Sequence, residues 1–199
     1  MKEFRYTNFQ DQQENAYCGG YSLAAMINLF EALPPNKPYG MDIYQEVQNI
    51  QKEKLHGQRR YFIDKMSQYL HDQNVEGTYS LPSSIAIYAQ RKGMHPTVYY
   101  NTAILKENLA AVVNDIKLAN CDIEVFIEEE ISLIKSFKIP VIGNATTFFL
   151  SHSIALVETA MHWIAIGNTE EKEEKKRYYD PMSINEPVYE YSGINITLR

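Results

Sequence analysis

Residues 12–27 read QQENAYCGGYSLAAMI, and they predict more of the fold than any other segment of the chain. Apolar side chains recur at near-helical spacing from Leu23 to Leu33, which predicts one buried helix over residues 21–33. Three prolines follow by position 38, and their rings cannot continue a helix. The helix begins at Cys18-Gly19-Gly20, so we expect Cys18 to stand at its N-terminus.

Further helices are predicted over residues 42–54, 60–72, 82–91 and 105–118, with a strand at 97–100. The helix at 82–91 has clear end signals, because Ser80 can cap its N-terminus, Pro82 suits its first turn and Gly93 can close it. Residues 122–137 are ambiguous, since a short strand-like run overlaps an acidic helical pattern.

Short strand-like runs dominate the chain from Ile139 onward, and they cover residues 139–142, 148–150, 154–157, 161–167, 177–179 and 188–191. A charge run at 170–177 lies between two of these runs and predicts a solvated hairpin loop. Helices followed by strands indicate an α+β fold, with an N-terminal helical part packed on a C-terminal antiparallel β-sheet. The length of 199 residues and the 45% hydrophobic content predict a single domain, 1–199, with the active site in the cleft between helices and sheet.

Composition argues against several classes of function. The net charge of −6 provides no basic field for nucleic acid, and every apolar run is too short to span a membrane. The N-terminus lacks a signal-peptide pattern, so we expect a cytoplasmic protein or one exported by a signal-independent route. Two cysteines and five histidines without metal-ligand spacing predict no metal and no cofactor. The oligomeric state stays open.

Cys18 is the candidate nucleophile. A free thiol is mostly protonated at neutral pH, and a helix N-terminus together with a neighbouring imidazolium favours the thiolate. Gly19 and Gly20 would leave the sulfur accessible to a substrate carbonyl. The oxyanion formed on attack needs donors, which the Cys18 N–H and a side-chain amide of Gln12 or Gln13 could supply.

Two later strand ends contribute the expected partners of Cys18. His162 lies in the strand-like run 161–167, at a separation of 162 − 18 = 144 residues from Cys18, and Asp180 follows across one hairpin. His152 is a competing base, but no acidic strand end follows it. Trp163 either shields the expected bond between His162 and Asp180 or is an ordinary core residue.

Because Cys18, His162 and Asp180 follow one another in this order, the chain resembles the papain-like cysteine peptidases. Gln12 and Cys18-Gly19 fit the Gln-x5-Cys-Gly segment of that family, whereas Gln13 does not. Residues 23–27 are most similar to bacterial members, notably the double-glycine leader peptidases, their stand-alone relatives and effector cysteine proteases. Asp180 stands where papain has asparagine, as in the bacterial branches. The middle of the chain carries no matching motif.

The resemblance implies a role for each residue. Cys18 would attack, His162 would carry the proton, Asp180 would orient His162, and Gln12 with the Cys18 N–H would bind the oxyanion. The leading expectation is hydrolysis of a peptide bond in a protein or peptide substrate. The alternative is glutamine deamidation or transglutamination by a toxin or effector with the same triad, and a catalytically silent binding module is less favoured. Cys121 is predicted to be structural.

Overall fold

The computed structural model describes residues 15–30, 39–118, 120–143, 149–157, 160–169, 178–182 and 189–199. Its helices are α1 (Cys18–Phe30), α2 (Tyr39–Lys54), α3 (Gly57–Asp72), α4 (Pro82–Arg91), α5 (Thr102–Asp115) and α6 (Ile123–Ser136). Its strands are β1 (Thr97–Tyr100), β2 (Val141–Gly143), β3 (Ser153–Val157), β4 (His162–Ile166), β5 (Tyr178–Tyr179) and β6 (Tyr191–Thr197). The chain is therefore a mixture of helices and strands, as the sequence predicts.

Side-chain caps explain where two of the helices begin. The Asn101 side chain accepts the Ile104 N–H at the start of α5, and the Asp122 side chain accepts the Val125 N–H at the start of α6. The Asp122 cap resolves the ambiguity over residues 122–137 in favour of a helix. The cap predicted for α4 is wrong, because Leu81 takes that position without a side-chain hydrogen bond.

The sheet has the strand order β2-β1-β6-β3-β4-β5. Neighbouring strands are antiparallel except β1 and β2, which are parallel. The prediction of an antiparallel C-terminal sheet is therefore corrected to a mixed sheet that includes β1 from the middle of the chain. The physical reason is that α5 and α6 form the crossover connection that a parallel pair requires.

The last strand was predicted too early in the chain, at residues 188–191, whereas β6 runs from Tyr191 to Thr197. Polar Asn195 is wholly buried in this strand, where its side-chain oxygen accepts the Leu150 N–H and the Ser153 hydroxyl. Gly193 has φ +97°, and a Cβ there would lie 2.7 Å from the Leu105 nitrogen. Gly193 interrupts the strand pattern, whereas residues 194–198 alternate between apolar and polar side chains and were a usable strand signal. Residues 149 and 150 form no strand, and the predicted loop at 170–177 lies outside the described residues.

Buried apolar side chains form one large cluster between the helices and the sheet. A smaller cluster contains Ala155, Val157, Ile164, Ile166 and Tyr189. Helix α1 packs on α2 and on strands β3 and β4, so it lies against the central part of the sheet. In the described part of the chain, every helix is too short or too polar to cross a membrane.

Candidate active site

Cys18 is the first residue of α1 and is 5% exposed. The Tyr17 carbonyl accepts the Gly20 N–H at 3.0 Å and the Tyr21 N–H at 3.2 Å, so the helical hydrogen bonds begin directly before the cysteine. The N–H groups of the first helical residues have no partner inside their own helix, and the helix dipole places partial positive charge there. Cys18 thus stands at the positive end of the α1 dipole.

Gly19 and Gly20 are both buried, and their contacts differ from the sequence interpretation. A Cβ on Gly19 would lie 2.5 Å from the Ser80 Cβ, and one on Gly20 would lie 2.5 Å from the Tyr44 Cα. Both glycines therefore allow α1 to approach its neighbours closely. Their small size is required by the packing of α1 against its neighbours, whereas the sequence interpretation is that it opens a path for substrate.

His162 opens β4 and connects the other two residues of the predicted triad. Its Nε2 lies 2.8 Å from Asp180 Oδ1, in a bond buried on both sides. The Cys18 side chain also lies close enough to the ring to favour its protonated form. Because Nε2 is engaged by Asp180, Nδ1 is the ring nitrogen that remains for the sulfur. The structure thus brings Cys18, His162 and Asp180 into one chain of contacts.

The charges at this site reinforce one another. Burial opposes protonation of His162, but hydrogen bonds to Asp180 and Cys18 and their negative charges outweigh it and raise the pKa of His162 to about 10. Burial likewise opposes ionisation of Asp180, yet the hydrogen bond and charge of His162 keep the pKa of this carboxyl below its usual value. At neutral pH the pair is an imidazolium and a carboxylate, which leaves the ring ready to stabilise a thiolate.

Asp180 is held by two further donors. The Met182 N–H donates to Oδ1 at 2.8 Å, and the Tyr189 hydroxyl donates to Oδ2 at 2.7 Å. The first contact closes a local turn in which the Asp180 side chain bonds to the backbone two residues on, across Pro181. Both carboxylate oxygens are therefore occupied, and the orientation that faces His162 is fixed.

A side-chain hydrogen bond connects helix α1 to strand β4. Ser22 lies one helical turn after Cys18, and its hydroxyl donates to the Trp163 carbonyl at 2.8 Å. Trp163 follows His162 directly, so this bond ties the helix of Cys18 to the strand of His162. The Trp163 ring is fully buried in the main cluster, and its indole N–H donates to the Ser80 carbonyl at 2.9 Å. Of the two interpretations of Trp163, these contacts support the core residue.

Neither His152 nor Cys121 takes part in the contacts of His162 described above. His152 pairs with Gly167 at the opposite end of the β3–β4 hairpin, whereas His162 pairs with Val157, so about 17 Å of strand separates the two histidines. Cys121 precedes α6, where burial and the Asp122 carboxylate raise the pKa of its thiol. Gln12 and Gln13, the predicted oxyanion donors, lie outside the described residues.

Ser22 and Tyr189 are the site residues that sequence reasoning missed. The position of Ser22, four residues after Cys18, places it on the same helix face and was a usable signal. Tyr189 carried no such signal, because tyrosines are scattered over the whole chain, fifteen in all.

Comparison with protein-family models, with curated proteins and with solved structures found no match to this chain. The described residues also hold no group of three or more His, Cys, Asp or Glu side chains that could bind a metal ion.

Proposed function

We propose that this chain is a papain-like cysteine peptidase that hydrolyses peptide bonds through an acyl-enzyme on Cys18. One observation supports the proposal above all others: Cys18 starts a helix beside His162, whose Nε2 is bonded to buried Asp180. The proposed nucleophile, base and orienting residue thus lie next to one another, as covalent catalysis requires.

The proposed reaction has two halves. In the first, the Cys18 thiolate forms a bond to the substrate carbonyl carbon, and the imidazolium of His162 gives its Nδ1 proton to the leaving amine as the C–N bond breaks. In the second, neutral His162 takes a proton from water, the hydroxide oxygen adds to the thioester carbon, and the thiolate leaves as the acid forms. The Cys18 N–H and the Gln12 amide are the proposed donors to the oxyanion.

The test is mass spectrometry of a peptide library of known sequences incubated with the purified protein, with the Cys18→Ala variant as control. New peptide termini that appear only with the wild-type protein support the proposal. Conversion of a glutamine amide to an acid without cleavage would replace it with the deamidase alternative, which uses the same triad. No product of either kind, together with slow alkylation of Cys18, would overturn the catalytic proposal and favour a binding module.

A further inference from the structure

Tyr189 is not one of the three residues of the triad, but it contacts one of them, Asp180. Its hydroxyl donates to Asp180 Oδ2 at 2.7 Å, and both residues are buried. The oxygen that faces His162, Oδ1, is the other one. The phenol therefore contacts the carboxylate on the side away from the imidazole and cannot compete for its hydrogen bond.

The ring of Tyr189 is itself held in place. It belongs to the smaller apolar cluster with Val157 and Ile164, and it meets the ring of Tyr178 at a centroid distance of 5.6 Å and an interplanar angle of 69°. This edge-to-face arrangement is a favourable one for aromatic pairs. The packing of the ring restricts the position of the Tyr189 hydroxyl, and such restriction is required of a residue that orients a functional group.

We propose that Tyr189 is a positioning residue that acts through Asp180: it holds Oδ2 so that Oδ1 stays directed at His162 Nε2. The inference rests on the proposed function of the Cys18 site. Its physical basis is that a carboxylate with one bonded oxygen can rotate about its Cβ–Cγ bond, whereas donors on both oxygens fix the plane of the group. Met182 and His162 occupy Oδ1, and Tyr189 is the donor that the structure records on Oδ2.

The experiment compares Tyr189→Phe with Tyr178→Phe. Each variant keeps its ring and loses one hydroxyl of the same aromatic pair, but only Tyr189 donates to Asp180. Two readouts are needed: the rate of alkylation of Cys18 by iodoacetamide at about pH 6, where ordinary thiols are protonated, and the pKa of His162 from an NMR titration. Circular dichroism checks that each variant is folded.

We expect Tyr189→Phe to slow alkylation of Cys18 by about 3- to 10-fold and to lower the pKa of His162. The reason is that Asp180, without the Tyr189 hydroxyl, is less well oriented to bond the imidazole ring. Tyr178→Phe should change neither readout. A double-mutant cycle adds the decisive comparison, since Tyr189→Phe should have no additional effect in an Asp180→Ala background if the tyrosine acts through the aspartate.

Two outcomes would overturn the inference. If Tyr189→Phe matches the wild-type protein while Asp180→Ala slows alkylation, Tyr189 only packs and the proposed function stands. If Tyr189→Phe slows alkylation equally with and without Asp180, the tyrosine acts by another route. The proposed function fails separately if neither Asp180→Ala nor His162→Ala affects the reactivity of Cys18.

Discussion

At the scale of single residues, the two cysteines of the chain have opposite surroundings. Cys18 starts α1 and contacts His162, whereas Cys121 is partly buried beside the Asp122 carboxylate. We therefore expect iodoacetamide at about pH 6 to label Cys18 rapidly and Cys121 slowly. Intact-protein mass spectrometry of Cys18→Ala and Cys121→Ala measures this. Rapid labelling that persists in Cys18→Ala and disappears in Cys121→Ala would show that the nucleophile is misassigned.

Asp180 contributes both a hydrogen bond and a charge to His162, and two variants separate them. Asp180→Asn keeps an acceptor oxygen and should retain more turnover than Asp180→Ala, because the proposed ion pair of His162 with Cys18 depends more on the orientation of the ring than on a third charge. Both variants should lower the pKa of His162 from about 10, since the carboxylate that favours its protonated form is gone. An NMR titration and turnover assays measure these effects. Wild-type behaviour of Asp180→Ala in both assays would reduce Asp180 to a turn residue.

Gln12 remains the proposed oxyanion donor on the strength of its spacing to Cys18. Gln12→Ala should lower turnover by roughly 10- to 1000-fold, the range for the loss of one such donor, with little change in stability. Gln13→Ala is the matched control and should matter less. Turnover of both variants on one cleaved peptide measures the difference, and the reverse order of effects would move the donor by one residue.

At the scale of elements, the bond from Ser22 to the Trp163 carbonyl holds α1 against β4. Ser22→Ala removes this buried hydrogen bond between α1 and β4, and we expect a loss of about 0.5–1.5 kcal/mol in the free energy of unfolding. Alkylation of Cys18 should also slow, because α1 carries the sulfur.

The matched control for this loss is Ser84→Ala in α4. The Ser84 hydroxyl is equally buried but has no hydrogen-bond partner among the described residues, so its removal should cost almost nothing. Urea denaturation of the two variants gives the comparison. If both variants lose the same free energy of unfolding, the hydrogen bond between Ser22 and the Trp163 carbonyl does not stabilise the fold.

The ends of elements show which local signals are reliable. Helix α4 and strand β1 have the predicted bounds, because prolines, glycine and apolar periodicity act over a few residues. The N-cap of α4 was wrong because tertiary contacts use Ser80 differently: its hydroxyl accepts the Gln48 side-chain amide at 3.1 Å. A serine hydroxyl can bond to a helix N–H or to a distant side chain, and in this fold Ser80 bonds to the distant Gln48.

At the scale of the whole molecule, one buried ion pair joins four helices. Arg59 of α3 donates through Nε to Glu130 of α6, through one terminal nitrogen to the Lys54 carbonyl at the end of α2, and through the other to the Ser83 hydroxyl of α4. Both charged side chains are almost completely buried. This network lies outside the triad and was not identified from the sequence.

We expect Arg59→Met to lower the free energy of unfolding by about 3–5 kcal/mol, because it leaves the Glu130 carboxylate buried without its cation. Lys106→Met removes the cation of an exposed pair with Glu124 and should cost at most about 1 kcal/mol. Urea denaturation measures both. Because Arg59 does not contact the triad, alkylation of Cys18 in the folded variant should stay unchanged. Similar small losses in both variants would contradict the role assigned to the buried pair.

The amino-acid sequence by itself determined five of the six described helices, most of the described strands and the identity of Cys18, His162 and Asp180 as candidates. These follow from signals that act within a few residues, such as apolar periodicity and the chain-breaking action of proline and glycine. The order of these residue types then matched a familiar pattern of covalent catalysis.

Only the tertiary structure decided which ring nitrogen of His162 meets Asp180, that β1 and β2 pair in parallel, and that Ser22 and Tyr189 belong to the site. The physical reason is distance along the chain. Ser22 and Trp163 are separated by 141 residues, and no local pattern specifies a contact that exists only when a helix and a strand have packed together. Local signals determined the elements and the candidate residues, while packing determined the orientation on which their chemistry depends.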